Sequence, residues 1–110
     1  MSKQTEILME IIAERGRQDL LWGLQNHSIK PSDHEFTRRF VDLDKKAKDS
    51  CNVNAENGFI TWYDILWEEF CEVFAEDDPQ MQREELVQLN AVSLAMIEYL
   101  DRRYPKKDEV

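Results

Sequence analysis

Glycine and proline are scarce in this chain of 110 residues, at three each. A turn-dense β-sandwich or a low-complexity chain would carry more of both. Cysteine is scarcer still, at two. Cys51 and Cys71 stand at neither zinc nor redox spacing. They read as reduced structural thiols and offer no disulfide framework. Long apolar runs are missing too. The stretch around residues 91–97 is broken by Ser93 and falls far short of a membrane span. The N-terminal MSKQTEILMEIIAERGR is interrupted by Glu6, Glu10 and Glu14, unlike the apolar centre of a signal peptide. The expected compartment is the cytoplasm, with no membrane partner.

Positive charge is in deficit. Fourteen Lys and Arg against 23 Asp and Glu leave a net charge of −9. Broad-face binding to duplex nucleic acid runs on neutralising phosphates with Lys and Arg, so this balance argues against it. An anionic membrane surface is an equally poor match. The chain is nonetheless 42% apolar and 10% aromatic, too rich for a disordered acidic tail. Its length suits one helical domain, residues 1–110, with 104–110 expected to fray.

Periodicity and punctuation predict four helices. The first runs from about Gln4 to Trp22, with Ile7/Leu8 and Ile11/Ile12 at helical spacing and Gly23 as its stop. Ser32 and Glu35 stand in S-x-x-E order before the second, predicted over about Asp33–Asp49. Phe36, Phe40, Leu43 and Ala47 form its apolar stripe. Lys45–Lys48 reads as a solvated face. Residues 52–58 read as a turn ending in Asn57-Gly58. The third helix starts at Thr61, with Asp64 three residues on, and reaches about Ala75. Asp77-Asp78-Pro79 then caps a fourth, running to about Arg103. Its centre, residues 89–100, is apolar nearly all round and is expected to be the most buried helix.

The acids of the last two helices are out of place. The third helix has the stripe Trp62, Leu66, Glu69, Val73, so Glu69 occupies a position normally given to an apolar residue. Glu72 and Glu76 adjoin the same face, and Glu68 lies further round. The fourth has Met81, Glu85, Gln88, Val92, Ala95, Tyr99, with two polar interruptions. A buried carboxylate without a partner neutralises, pairs or binds a metal. A short link favours antiparallel packing of the two helices, which would bring Glu69, Glu72 and Glu85 together. Oxygen ligands of this kind suit Mg²⁺ or Mn²⁺. Two alternatives stand beside this one. The acids could only solvate their helices, or Arg83, Arg102 and Arg103 could pair with them structurally.

The order Glu69-x-x-Glu72, a spacer, then Glu85-x-x-Gln88 resembles the ExxE…ExxD signature of the all-α NTP pyrophosphohydrolases, the MazG-like and dimeric dUTPase-like superfamily. Glu14-Arg15-Gly16-Arg17-Gln18-Asp19, Trp22-Gly23 and Gln25-Asn26-His27 resemble the opening of a small MazG-like branch found in phages and bacteria. Thr61-Trp62, Ile65-Leu66, Glu68-Glu69, Arg83-Glu84-Glu85-Leu86-Val87-Gln88 and Leu100-Asp101-Arg102-Arg103 continue that branch's order.

The resemblance implies a four-helix bundle completed by oligomerisation as a homodimer or homotetramer. It implies Mg²⁺, or Mn²⁺, on the acids and cleavage of an NTP or dNTP to NMP and pyrophosphate. Glu69, Glu72 and Glu85 would be catalytic metal ligands. Gln88 would take the place of the signature's last acid, and Glu68 would be a supporting acid or a further ligand. The base and sugar need other residues. Trp22 offers a stacking face, and Gln25, Asn26 and His27 offer polar groups. Arg15, Arg17, Arg102 and Arg103 are the candidates for phosphate contacts, and Gln18 is a further nucleotide-binding candidate.

Gln88 departs from the pattern. An amide brings no charge and cannot serve as a base. That keeps a second reading open, a nucleotide-binding protein with a degenerate metal site and little turnover. A third is a helical interaction module.

Overall fold

The computed structural model describes residues 1–105. They contain four α-helices and no strand: α1 (Lys3–Trp22), α2 (His34–Glu56), α3 (Trp62–Ala75) and α4 (Pro79–Arg103). The expected all-α architecture is therefore observed. Tyr104 and Pro105 follow α4 outside the helix. The rest of the expected frayed tail, residues 106–110, lies outside the described residues.

Local capping explains most helix boundaries. Ser2 caps α1, its Oγ accepting from the Thr5 N–H at 3.1 Å. Gly23 stops it at φ 64°, a left-handed backbone suited to glycine, with its N–H donating to Asp19 O at 2.8 Å. Thr61 and Asp64 close a capping box on α3: the Thr61 N–H donates to Asp64 Oδ2 at 2.9 Å, and the Asp64 N–H donates to Thr61 Oγ1 at 3.4 Å. Asp78 precedes Pro79, the first residue of α4, and its carboxylate accepts from the Met81 N–H at 3.2 Å.

Helix α2 departs from expectation at both ends. Asp33, not Ser32, is its N-cap, with Oδ1 accepting from the Glu35 N–H at 2.9 Å. Asp33 has the extended backbone a cap requires, and its carboxylate also complements the positive end of the helix. The helix then continues to Glu56, two turns beyond the expected end. No Gly or Pro interrupts residues 50–56. Cys51 extends the apolar stripe four residues past Ala47, and both are buried.

The described chain forms two compact units. The first is Lys30–Ser93, where α2 packs on α3. Ala47, Cys51, Cys71 and Val73 are buried there. Phe36, Phe40, Phe70 and Phe74 form a ring cluster with centroids 4.9–6.1 Å apart. Lys30 seals the end of α3. Its side chain is 9% exposed, it donates to Phe74 O and Glu76 O at 3.1 and 2.8 Å, and it pairs with Asp77 at 2.8 Å. The buried Gln82 joins it, with Nε2 donating to Glu76 O at 2.8 Å.

The second unit combines residues 1–29 with the chain from Leu94 onward. Ile7 is its fully buried apolar residue. Lys3 pairs with Asp101 at 3.4 Å, and Gln4 donates to Glu98 at 3.3 Å. Other apolar residues of α1 stay open: Leu8 is 45% exposed, Ile12 68% and Leu21 58%.

The expectation for α4 needs correction. Residues 92–98 are only half-buried, Leu100 is exposed, and the one buried residue of the helix is Gln82. An all-round apolar helix is fully buried only when every side of it is covered, and the described residues cover α4 incompletely.

Candidate functional site

Glu69 and Glu72 lie one turn apart on α3, and α4 supplies Glu85. One carboxylate oxygen from each lies within 4.8 Å of the other two. The interrupted stripes therefore do converge. All three residues are half-buried. Glu69 Oε2 and Glu85 Oε2 are buried with no hydrogen-bond partner. Such orphaned acceptors are costly unless something fills the site.

The electrostatics follow from the crowding. Burial pushes the Glu85 carboxyl up to about 7, aided by Glu72, with which it can share a proton, and by the charges of Glu69 and Glu76. Burial also raises Glu69, with Glu72 and Glu68 adding to the effect and Lys48 opposing it. Glu68 faces away toward Cys51, whose thiol is pushed up to about 12 by burial and by that carboxylate. Glu68 is not one of the three converging carboxylates, though its charge is felt at Glu69. Cys71 is raised to about 11, again chiefly by burial. Both cysteines are free and buried, in keeping with reduced structural thiols.

The cation at this cluster comes from α2. Lys48 Nζ donates to Asp44 Oδ1 at 2.6 Å and to Glu72 Oε1 at 2.9 Å. Burial alone would lower the Lys48 pKa, but the hydrogen bonds to Asp44 and Glu72 outweigh it and hold the ammonium above its ordinary value. The expectation that Lys45–Lys48 is simply a solvated face is thus corrected at Lys48. Ala47 turns inward on the apolar stripe, which carries its neighbour Lys48 to the edge of α3. Asp44, Lys45, Lys48, Glu72, Glu76 and Glu85 line one open cavity of about 380 Å³. The sequence signal for this was available: Asp44 and Lys48 stand at i,i+4.

The donor set fits a hard divalent cation. Opposite corners of an Mg²⁺ octahedron are about 4.2 Å apart for bonds of about 2.1 Å. Adjacent corners are about 3.0 Å apart, so oxygens spread over up to 4.8 Å would draw together around the ion. Carboxylate oxygens also suit Mn²⁺. Gln88 is exposed on α4 one turn beyond Glu85.

The other candidate residues belong to the second unit. Trp22 is 59% exposed at the end of α1, and Gln25, Asn26 and His27 follow in an exposed loop. Arg15 is engaged within its own helix, donating to Gln18 at 2.9 Å and to Asp19 at 2.7 Å. Arg17 is likewise paired with Glu14, donating through Nε at 2.9 Å. Arg102 and Arg103 occupy the last turn of α4. Arg103 stacks over the Tyr104 ring at 5.2 Å. Arg102 lines a separate cavity with Lys3, Glu98 and Asp101. Among the described residues, Lys48 is the cation that pairs with the clustered acids, through Glu72. No family model, no curated protein and no solved structure matches the chain.

Proposed function

We propose that this chain is a metal-dependent nucleoside triphosphate pyrophosphohydrolase of the MazG-like type, acting on an NTP or dNTP. The observation that carries the reading is the convergence of Glu69, Glu72 and Glu85, with two buried carboxylate oxygens left unpartnered. Its motif resemblance supplies the substrate class. Mg²⁺ or Mn²⁺, when bound, supplies a Lewis acid for the phosphates and lowers the pKa of water. Glu69, Glu72 and Glu85 hold it. A carboxylate beside the metal ligands orients the attacking water and accepts its proton. Cleavage of the phosphoanhydride between the α- and β-phosphates yields NMP and pyrophosphate.

The same reading includes self-association as a homodimer or homotetramer. Support comes from the open apolar face of α1 and from the shallow apolar cavity formed by Tyr63, Leu66, Trp67 and Phe70. Light scattering that gives a strict monomer overturns this part.

The decisive assay incubates the protein with a panel of NTPs and dNTPs in Mg²⁺ or Mn²⁺ and measures pyrophosphate. Release from at least one nucleotide is expected, with loss in Glu69→Gln. No release at any metal concentration refutes turnover. The exposed Gln88 favours a second reading, a nucleotide binder with little chemistry. Calorimetry showing nucleotide binding without conversion selects it.

A further inference from the structure

Glu72 is the most heavily shared group of the site. It lies in the carboxylate trio and also accepts from Lys48. The ammonium reaches Glu72 Oε1 and Asp44 Oδ1 and leaves Glu69 Oε2 and Glu85 Oε2 without partners. One monovalent cation thus covers one edge of the cluster and not its interior. Its own surroundings are not closed. The Lys48 side chain is 45% exposed and faces the 380 Å³ cavity that Lys45 also lines. A flexible four-carbon stem lets such a head change partners at small cost.

We propose that Lys48 is the resident counter-cation of the acidic site, displaced from Glu72 by a divalent cation and then free to bind a phosphate oxygen of the ligand. The inference rests on the metal reading above and adds to it the regulation of that site and its anion contact. Asp44 is the retaining post. It keeps the ammonium at the cavity while Glu72 turns to the divalent cation. The arrangement orders the two events. Before a divalent cation binds, Lys48 is occupied and the cavity is lined by Asp44, Glu72, Glu76 and Glu85, which repel phosphate. Afterwards two of the negative charges are offset and the ammonium, released from Glu72, is available. Lysine serves phosphate as a compact point charge.

The test titrates Mn²⁺ into the full chain, followed by its paramagnetic resonance signal, for the wild type, Lys48→Met and Lys48→Arg. Tripolyphosphate is then titrated at saturating Mn²⁺. Removing a competing charge a few ångströms away is expected to tighten Mn²⁺ binding about tenfold in Lys48→Met. The same variant is expected to bind tripolyphosphate at least about tenfold more weakly. Lys48→Arg should restore both values toward wild type. Should Lys48→Met fold poorly by circular dichroism, Asp44→Asn gives the reading. Lys48 then leans on Glu72 alone, and Mn²⁺ binding is expected to weaken. Mn²⁺ binding that is equal in wild type and Lys48→Met overturns the Lys48 proposal and leaves the metal site standing. Absence of Mn²⁺ binding in both proteins overturns the metal reading and this proposal together.

Discussion

Replacing Glu85 by glutamine removes one charge from the trio while keeping its shape. The carboxyl stands at about 7 against an ordinary 4.5, chiefly because it is buried. The folded state therefore holds its proton more tightly than the unfolded chain does between those values. Stability must fall as pH rises through that window. At about 1.4 kcal/mol for each decade, the upper bound is roughly 3.5 kcal/mol. Glu85 is only half-buried, and solvent screening reduces this to about 1–2 kcal/mol. Glu85→Gln lacks the ionisation, so it should melt at nearly the wild-type temperature at pH 4. At pH 8 it should melt higher by about 4–16 °C. Glu84→Gln, an exposed neighbour on the same helix, controls for the general relief of negative charge and should change stability by less than about 0.5 kcal/mol. The gain comes with a loss. Wild type in Mn²⁺ at about 100 times the dissociation constant should gain roughly 2.7 kcal/mol, and Glu85→Gln should gain far less. Differential scanning fluorimetry from pH 4 to 8, with and without Mn²⁺, reads both effects. A variant no more stable than wild type at pH 8 refutes the electrostatic reasoning. A full Mn²⁺ shift in the variant refutes Glu85 as a ligand.

Lys30→Met removes an ammonium that donates to two backbone carbonyls at the end of α3. It should cost about 1–3 kcal/mol in urea denaturation, and an unchanged midpoint would show that Lys30 does not hold the end of α3. Thr61→Ala breaks the capping box of α3 and should cost about 1 kcal/mol. A circular dichroism melt indistinguishable from wild type contradicts it. Cys51 and Cys71 are buried, with pKa values pushed up to about 12 and 11. Both should react slowly with a thiol reagent at pH 8 in the native protein and rapidly in urea. Prompt native reaction of either one rejects its buried placement.

The sequence carried most of what is local. Thr61 with Asp64, and Asp78 with Pro79, are self-contained signals, and the starts of α3 and α4 fall where those residues place them. The convergence of Glu69, Glu72 and Glu85 was also legible, because polar residues interrupted two apolar stripes joined by a short link. Tertiary choices were harder to see. The second half of α2 is rich in Asn and looks like a turn, yet Cys51 anchors it by burial. Lys48 looks like a member of a solvated run until α3 is packed beside it. Gln82 lies off the apolar stripe of α4, yet it is buried and shares the Glu76 carbonyl with Lys30. Each miss depends on what packs against the residue from another element.

The placement of the costly group is informative in itself. The acids gather in the Lys30–Ser93 unit, where the phenylalanine cluster, the capping box and the Lys30 seal constrain α2, α3 and the start of α4. A site whose ligands must keep fixed positions needs such support, since looseness of even about 1 Å impairs it. A solvating role would need none of it, because a carboxylate on the exposed face of any helix serves equally well. The same unit could relieve its repulsion by substituting an apolar residue at Glu69 or Glu85, the very positions where periodicity asks for one. It instead holds two unpartnered carboxylate oxygens against one lysine. Rigid support around an unneutralised cluster is the arrangement expected when the missing charge arrives with a ligand.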